Sequence, residues 1–181
     1  MLIGLAGYAG AGKDTVGKIL TDWHGFKRIA FADKVKELAL KINPTVWDNF
    51  EEVDVPLIWY VDKLGWDQAK QDEQVRELLQ RIGQGARDIL GEDVWLDAAT
   101  RDYVYGDKVV FTDVRYPNEL EYIHDMGGNV WWIHRPGVQP VNSHESENSI
   151  KIEDTDYFLN NSNSGALSLE EKVIHALGSS N

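Results

Sequence analysis

The sequence predicts an α/β protein, a doubly wound sheet of about five parallel strands. Three observations predict it. Short apolar runs of strand length alternate along the chain with stretches whose apolar residues recur at helical spacing, as successive βα units require. Those runs are apolar throughout, which suits strands covered on both faces. The first run, Met1-Leu2-Ile3-Gly4-Leu5-Ala6, breaks into Gly7-Tyr8-Ala9-Gly10-Ala11-Gly12-Lys13-Asp14-Thr15, after which a helical pattern begins.

That glycine-rich turn reads as a phosphate-binding loop. Glycines let the backbone turn sharply and aim successive N–H groups inward. Gly7, Gly10, Ala11, Gly12, Lys13, Asp14 and Thr15 are the expected nucleotide contacts, with the start of the helix behind them and Lys13 as a point charge for the β and γ phosphates. The strict motif has Ser or Thr directly after the lysine, whereas here Asp14 intervenes and Thr15 follows. Gly-Lys-x-Thr is the form used by nucleoside monophosphate kinases, so the loop resembles that of a small-molecule kinase more than that of a GTPase or motor.

Composition narrows the class. At 181 residues and 43% hydrophobic, the chain is long enough to bury a sizeable core and reads as one domain over residues 1–181. The excess of 30 Asp plus Glu over 18 Lys plus Arg, a net charge of −12, argues against a nucleic-acid polymer as partner. A few arginines in a cleft still suit a small anionic substrate. No cysteine occurs, which excludes disulfides, thiolate metal sites and cysteine nucleophiles. No apolar stretch approaches membrane-spanning length, and the apolar start lacks the basic residues of an export signal, so the expectation is a cytoplasmic protein with no membrane partner. Both a monomer and a homodimer are compatible with the sequence.

Taken in order, Val16, Ile19, Leu20 and Trp23 mark one face of a first helix over residues 13–24, stopped by Gly25. Residues 26–31 read as a strand and 32–42 as a helix that Asn43-Pro44 ends. Asp33 is either the cap of that helix or, with Lys34 and Lys36, part of a ligand site at a strand's carboxyl end. Residues 44–106 read as a long helical insertion in which Val75, Leu78, Leu79 and Ile82 hold core spacing. Arg87 follows Gly83 and Gly85, which would let a ligand approach the backbone, and its alternative is a solvated helix arginine. Trp95 reads as core, with a substrate contact as the other reading.

A third strand at residues 109–112 ends in Asp113-Val114-Arg115-Tyr116-Pro117-Asn118-Glu119, so that a carboxylate and a guanidinium emerge together. Asp113 suits Mg²⁺ and its waters and Arg115 suits a phosphate, unless the two form a structural pair. Residues 120–126 are helical and Gly127-Gly128 stops them. A fourth strand covers 129–134 and sends Trp131 and Trp132 to opposite faces of the sheet, both as core. Arg135-Pro136-Gly137 opens a polar, lid-like segment over about 136–152 that contains His144 and Glu147. A fifth strand at 156–159, an Asn/Ser-rich turn and a final helix capped by Ser168 and Glu171 complete the chain.

The chain as a whole resembles the deoxynucleoside monophosphate kinase family of tailed phages and related bacterial P-loop kinases. The likeness lies in the 7–15 loop, Phe31-Ala32-Asp33-Lys34-Val35-Lys36, residues 83–95, Asp113 to Glu119, Gly127-Gly128, Arg135-Pro136-Gly137 and His144-Glu145-Ser146-Glu147. It implies a P-loop kinase-like fold with a helical acceptor-site insertion and a small lid. It further implies ATP with Mg²⁺ as donor, a deoxynucleoside 5′-monophosphate as acceptor for DNA precursor synthesis, and host cytoplasm as location if the gene is a phage's. On that resemblance Lys13, Arg115 and Arg135 are catalytic, Thr15 and Asp113 face the metal, and Asp33, Lys34, Lys36, Arg87, Trp95, His144 and Glu147 bind the acceptor. Two rivals stand beside it. One is a P-loop kinase of another small metabolite, since the loop does not identify the acceptor. The other is a non-catalytic nucleotide switch, against which the chain lacks Asn-Lys-x-Asp and meets Asp-x-x-Gly only at Asp125 to Gly128, a helix end.

Overall fold

The protein is described here by a computed structural model that covers residues 1–139, 149–162 and 167–179. It forms two compact units, one built from residues 1–30 and 100–181, the other from residues 31–99.

The first unit holds a five-stranded sheet in the order β2-β5-β1-β6-β7. Its strands are β1 (Leu2–Ala6), β2 (Lys27–Ile29), β5 (Val109–Phe111), β6 (Asn129–His134) and β7 (Tyr157–Asn160), and every pairing is parallel. β1 lies at the centre, with Gly4 opposite Phe111 on one side and Val130 on the other. Helix α1 (Lys13–His24) and helix α8 (Leu169–Ser179) cover one face, where Val16, Ile19, Leu20, Val173 and Ala176 pack with Ile3, Leu5 and Val110. Helix α7 (Pro117–Asp125) covers the other. A Cβ on Gly4 would lie 2.7 Å from Ile123 of that helix, so glycine at this position permits the close approach. The doubly wound sheet expected from the sequence is therefore the fold.

α1 begins and ends where its periodicity and Gly25 place it, with Gly25 in the left-handed conformation. Trp23, assigned to its buried face, is instead 74% exposed. Strand β2 is shorter than expected because it pairs on one side only, and Phe31 already belongs to the next helix. α7 starts at Pro117, three residues before its expected start, with proline in the first turn where a missing N–H costs nothing. Trp131 and Trp132 are both buried, and Ser168 and Glu171 form the expected capping box of α8, at 2.7 Å and 3.2 Å.

The second unit contains α2 (Phe31–Ile42), β3 (Thr45–Asp48), β4 (Val53–Pro56), α3 (Leu57–Leu64), α4 (Trp66–Ala69), α5 (Glu73–Leu90) and most of α6 (Val94–Thr100). Its core joins Ala39, Val46, Val55, Leu57, Tyr60, Val61, Ala69 and Val75, with Leu78, Leu79 and Ile82 packed against it. The antiparallel pair β3–β4 corrects the all-helical reading of this stretch. Its signal is the period-two burial of Val46 and Asp48 across from Val55. α5 also runs unbroken through Gly83 and Gly85, because the apolar stripe on its packed face outweighs a propensity cost of about 1 kcal/mol per glycine.

Polar side chains fasten the β3–β4 pair. The Gln74 side chain accepts from the Trp47 N–H at 2.8 Å and donates to the Trp47 carbonyl at 2.6 Å, reproducing what a neighbouring strand would offer. Asp72 caps α5, accepts from Gln74 and takes the Tyr60 hydroxyl at 2.9 Å. Burial, then that bond, push the Tyr60 phenol up to about 12. Asp48 is wholly buried and accepts from Lys63 at 2.9 Å and from the backbone N–H groups of Phe50 and Glu51.

The Lys63 hydrogen bond, aided by the two amides and opposed by burial, holds the Asp48 carboxyl below its ordinary 3.8. Asp48 in turn holds Lys63 above its ordinary 10.5. A carboxyl with a depressed folded pKa stabilises fully above its unfolded value and loses that contribution as pH falls through the folded one. The raised lysine contributes fully below 10.5 and loses its contribution as pH rises through its folded value. The urea midpoint of the wild-type protein is thus expected to fall below about pH 4, and Asp48→Asn to flatten this acid limb while lowering stability at neutral pH. A midpoint titration of both proteins over that range checks it, and parallel acid limbs would exclude the role given to Asp48.

Candidate active site

Parallel strands put all their carboxyl ends on one edge, and in the first unit that edge collects the polar residues singled out above. After β1 the chain enters α1 on one face of the sheet, and after the adjacent β5 it enters α7 on the other. The ends of these two neighbours mark the reversal of direction at which such sheets bind ligands.

The glycine loop lies at the end of β1. Gly7, Gly10 and Gly12 have φ values of 131°, 81° and 100°, all in the region that side chains avoid. Gly7 has a second reason to be glycine, since a Cβ there would collide with the Ile133 carbonyl of β6. Ala11 is buried and its N–H donates to the Tyr8 carbonyl at 3.1 Å, closing the turn. Tyr8 packs edge-on against Trp132, with ring centroids 5.4 Å apart. Gly12 is the N-cap of α1 and, as glycine, brings no side chain to cap that helix start. Lys13 folds back over the loop and donates to the carbonyls of Gly7 at 2.6 Å and Tyr8 at 3.0 Å. Asp14 and Thr15 are exposed in the first turn of α1. The loop thus presents an ammonium, a helix start and three glycine turns in one place, the chemistry of a polyphosphate cradle.

Asp113 and Arg115 follow β5, next to the base of the loop, and the Val114 N–H donates to the Leu5 carbonyl at 3.1 Å. Both Asp113 and Arg115 are half-buried. The turn that carries them is fastened by Glu119, which the sequence places at the end of this motif without a role of its own. Its carboxylate is 2% exposed and accepts from the backbone N–H of Arg115 at 2.8 Å and of Tyr116 at 3.1 Å. The signal was present, for Pro117 followed by Glu119 is a helix-start pattern. Arg135 is exposed just beyond β6, at the same edge. Among the described residues, Thr112 Oγ1 is buried without a hydrogen-bond partner.

The other expected ligand residues belong to the second unit. Asp33 lies inside the first turn of α2 and so is not its cap. Its carboxylate accepts from Lys36 at 2.7 Å, while Lys34 pairs with Glu37 at 2.9 Å. Arg87 is 8% exposed and donates from Nη1 to the Glu92 carbonyl at 2.7 Å, which rules out a solvated helix arginine. Trp95 is buried and its indole N–H donates to the Gly83 carbonyl at 2.8 Å, in keeping with its reading as core. His144 and Glu147, with most of the expected lid segment, lie outside the described residues.

Among the described residues no cluster of three or more His, Cys, Asp or Glu could hold a metal ion. A hydroxyl at Thr15 and a carboxylate at Asp113 suit Mg²⁺ carried mainly by phosphates and water, not a protein cage. No described helix is long and apolar enough to cross a membrane.

Comparison with known proteins bears on the chain beyond the loop. The family model for deoxynucleotide monophosphate kinase matches residues 51–173. A protein of Acanthamoeba polyphaga mimivirus that carries the same family name is 31% identical over 163 residues, 81% of this chain and 80% of the relative. The deoxynucleoside-5′-monophosphate kinase of Escherichia phage T5 is 28% identical over 69% of this chain and 72% of its own. Among solved structures, a dephospho-CoA kinase from Campylobacter jejuni superposes with a TM-score of 0.46 at 14% identity, covering 99% of this chain and 97% of that one. A shikimate kinase from Bacteroides thetaiotaomicron does so with a TM-score of 0.44 at 14% identity, covering 98% and 97%. The glycine loop precedes the matched residues 51–173, so loop and family match are carried by separate parts of the chain.

Removing the Glu119 carboxylate would strand the N–H groups of Arg115 and Tyr116 at the start of α7. Glu119→Ala is expected to cost about 1–3 kcal/mol, and Glu119→Gln less, since the amide oxygen still accepts. Urea denaturation of the two variants checks the order, and equal losses would show that the negative charge, which both variants remove, carries the effect and not the accepting oxygen.

Proposed function

The chain belongs to the deoxynucleotide monophosphate kinase family, and from that premise we propose that it transfers the γ-phosphoryl group of ATP to a deoxynucleoside 5′-monophosphate, yielding the diphosphate and ADP. One observation carries the donor half of this reading: the three-glycine turn at the end of the central strand, with the Lys13 ammonium folded onto it. The acceptor half rests on the family.

Transfer between two phosphates asks little of proton chemistry, because the acceptor phosphate is already an anionic nucleophile at neutral pH. Catalysis then consists of alignment and charge neutralisation. Lys13 exchanges its two loop carbonyls for phosphate oxygens, and the first-turn N–H groups of α1 hold the remaining charge. Mg²⁺, when bound, neutralises the phosphates, and Thr15 and Asp113 are the residues assigned to it or to its waters. Arg115 and Arg135, from the ends of β5 and β6, meet the charge that spreads over the transferred group.

Arg87, with Lys34 or Lys36, is assigned to the acceptor phosphate. The bond to the Glu92 carbonyl fixes the orientation of the guanidinium fork. Lys34 and Lys36 would have to exchange their carboxylate partners Glu37 and Asp33 for the ligand.

Lys13→Ala is expected to lose roughly two orders of magnitude or more in kcat with the fold intact, since the interaction grows with transferring charge. Coupled ADP-release kinetics with circular dichroism checks it, and near-normal turnover in folded protein would end the donor assignment. Arg87→Lys keeps the charge and loses the fork. It is expected to raise the monophosphate KM by about tenfold while the KM for ATP holds. A panel of deoxynucleoside monophosphates and hydroxylated metabolites, assayed the same way, separates this acceptor class from that of another small-metabolite kinase.

A further inference from the structure

The end of β7 reaches the glycine loop across a sequence separation of 150 residues, through one side chain. Asn161 Nδ2 donates to the Ala11 carbonyl at 2.9 Å. The same side chain fills the space beside Gly12, where a Cβ would collide with its amide nitrogen. Asn161 is itself held on both sides. Its own N–H donates to the His134 carbonyl at the end of β6 at 2.7 Å. Lys172 of α8 donates to the carbonyls of Asn160 at 2.9 Å and Ser162 at 3.1 Å, the residues that flank it.

A trans peptide unit is planar, with its C=O and N–H pointing in opposite directions. By turning the Ala11 carbonyl toward itself, Asn161 turns the Gly12 N–H the other way, away from β7. The peptide plane at the mouth of α1 is thus set by a side chain and not by the local sequence. Left-handed φ at Gly12 allows this orientation and already favours glycine at position 12, and a Cβ there would also meet the Asn161 amide.

We propose that Asn161 is a positioning residue for the donor nucleotide, orienting the Ala11–Gly12 peptide so that the loop is ready for phosphate, with Lys172 holding Asn161 in place. The proposal rests on the reading of the loop as the ATP site. It assigns no contact between Asn161 and the acceptor, so donor and acceptor constants must separate.

The test is calorimetric titration of ATP with Mg²⁺ into wild type, Asn161→Asp, Asn161→Ala and Lys172→Met, with KM for each substrate and a thermal midpoint for every protein. Asn161→Asp keeps the shape but turns the donor into an acceptor facing a carbonyl. It is expected to weaken ATP binding more than tenfold, Asn161→Ala by about three- to tenfold and Lys172→Met by about threefold. The acceptor KM should stay within about twofold throughout, a separation that a loss of general stability would not produce. Wild-type protein that fails to bind ATP would overturn the donor reading and the proposal with it. Wild-type binding with unchanged affinity in Asn161→Asp and Asn161→Ala would overturn the positioning role alone, and so would an acceptor KM that rises in step with the ATP constant.

Discussion

Everything polar in the first unit depends on the burial of β1 between two parallel neighbours. All five of its residues are buried, and its hydrogen bonds run to β5 on one side and β6 on the other. A strand held in this way cannot slip, since a one-residue shift would exchange Ile3 and Leu5 with Gly4 and bring side chains against α7. The loop that follows is accordingly fixed at its base. Asp113, Arg115 and Arg135 come to the same edge only because the strands that carry them are in register with β1.

The second constraint is closeness. Gly7 lies against the Ile133 carbonyl, Gly12 against Asn161, and Gly128 leaves room for Leu2, from whose Cβ a side chain would be 2.6 Å away. These are contacts of backbone with backbone or with a pinned side chain, so they give little when crowded. Gly7, Gly12 and Gly128 thus set spacing, while Gly10 in the same loop and Gly85 in the second unit meet nothing within 4 Å.

How much of this was legible in the sequence differed by residue. β1, the glycine loop, α1 and β6 were readable because each carries a strong local signal: an uninterrupted apolar run, a glycine spacing, or a 3.6-residue stripe ended by Gly25. The β3–β4 pair was not, since four-residue strands offer only two inward positions each and lie among helical patterns. Gly83 and Gly85 pointed to a break in α5 that tertiary packing overrides. The burial of Arg87 depends on a carbonyl supplied by the turn after α5, which periodicity does not report. Asn161 was beyond reach for a different reason. Its partner is 150 residues away, and nothing near it in the sequence distinguishes it from a turn asparagine. At the carboxyl edge, then, residue types were legible and the supports beneath them were not.

Gln74 has a consequence outside catalysis. A strand with one unpaired edge is a template on which a second chain can add by main-chain hydrogen bonding, the first step of amyloid-like growth. Among the described residues β3 pairs with β4 alone, and its tryptophan Trp47 is 44% exposed, so an open edge there would be both adhesive and apolar. The Gln74 side chain satisfies the N–H and the carbonyl of Trp47 from within the same chain. The position at which an incoming strand would dock on Trp47 is thereby occupied, by a neutral amide that carries no charge to be screened by salt.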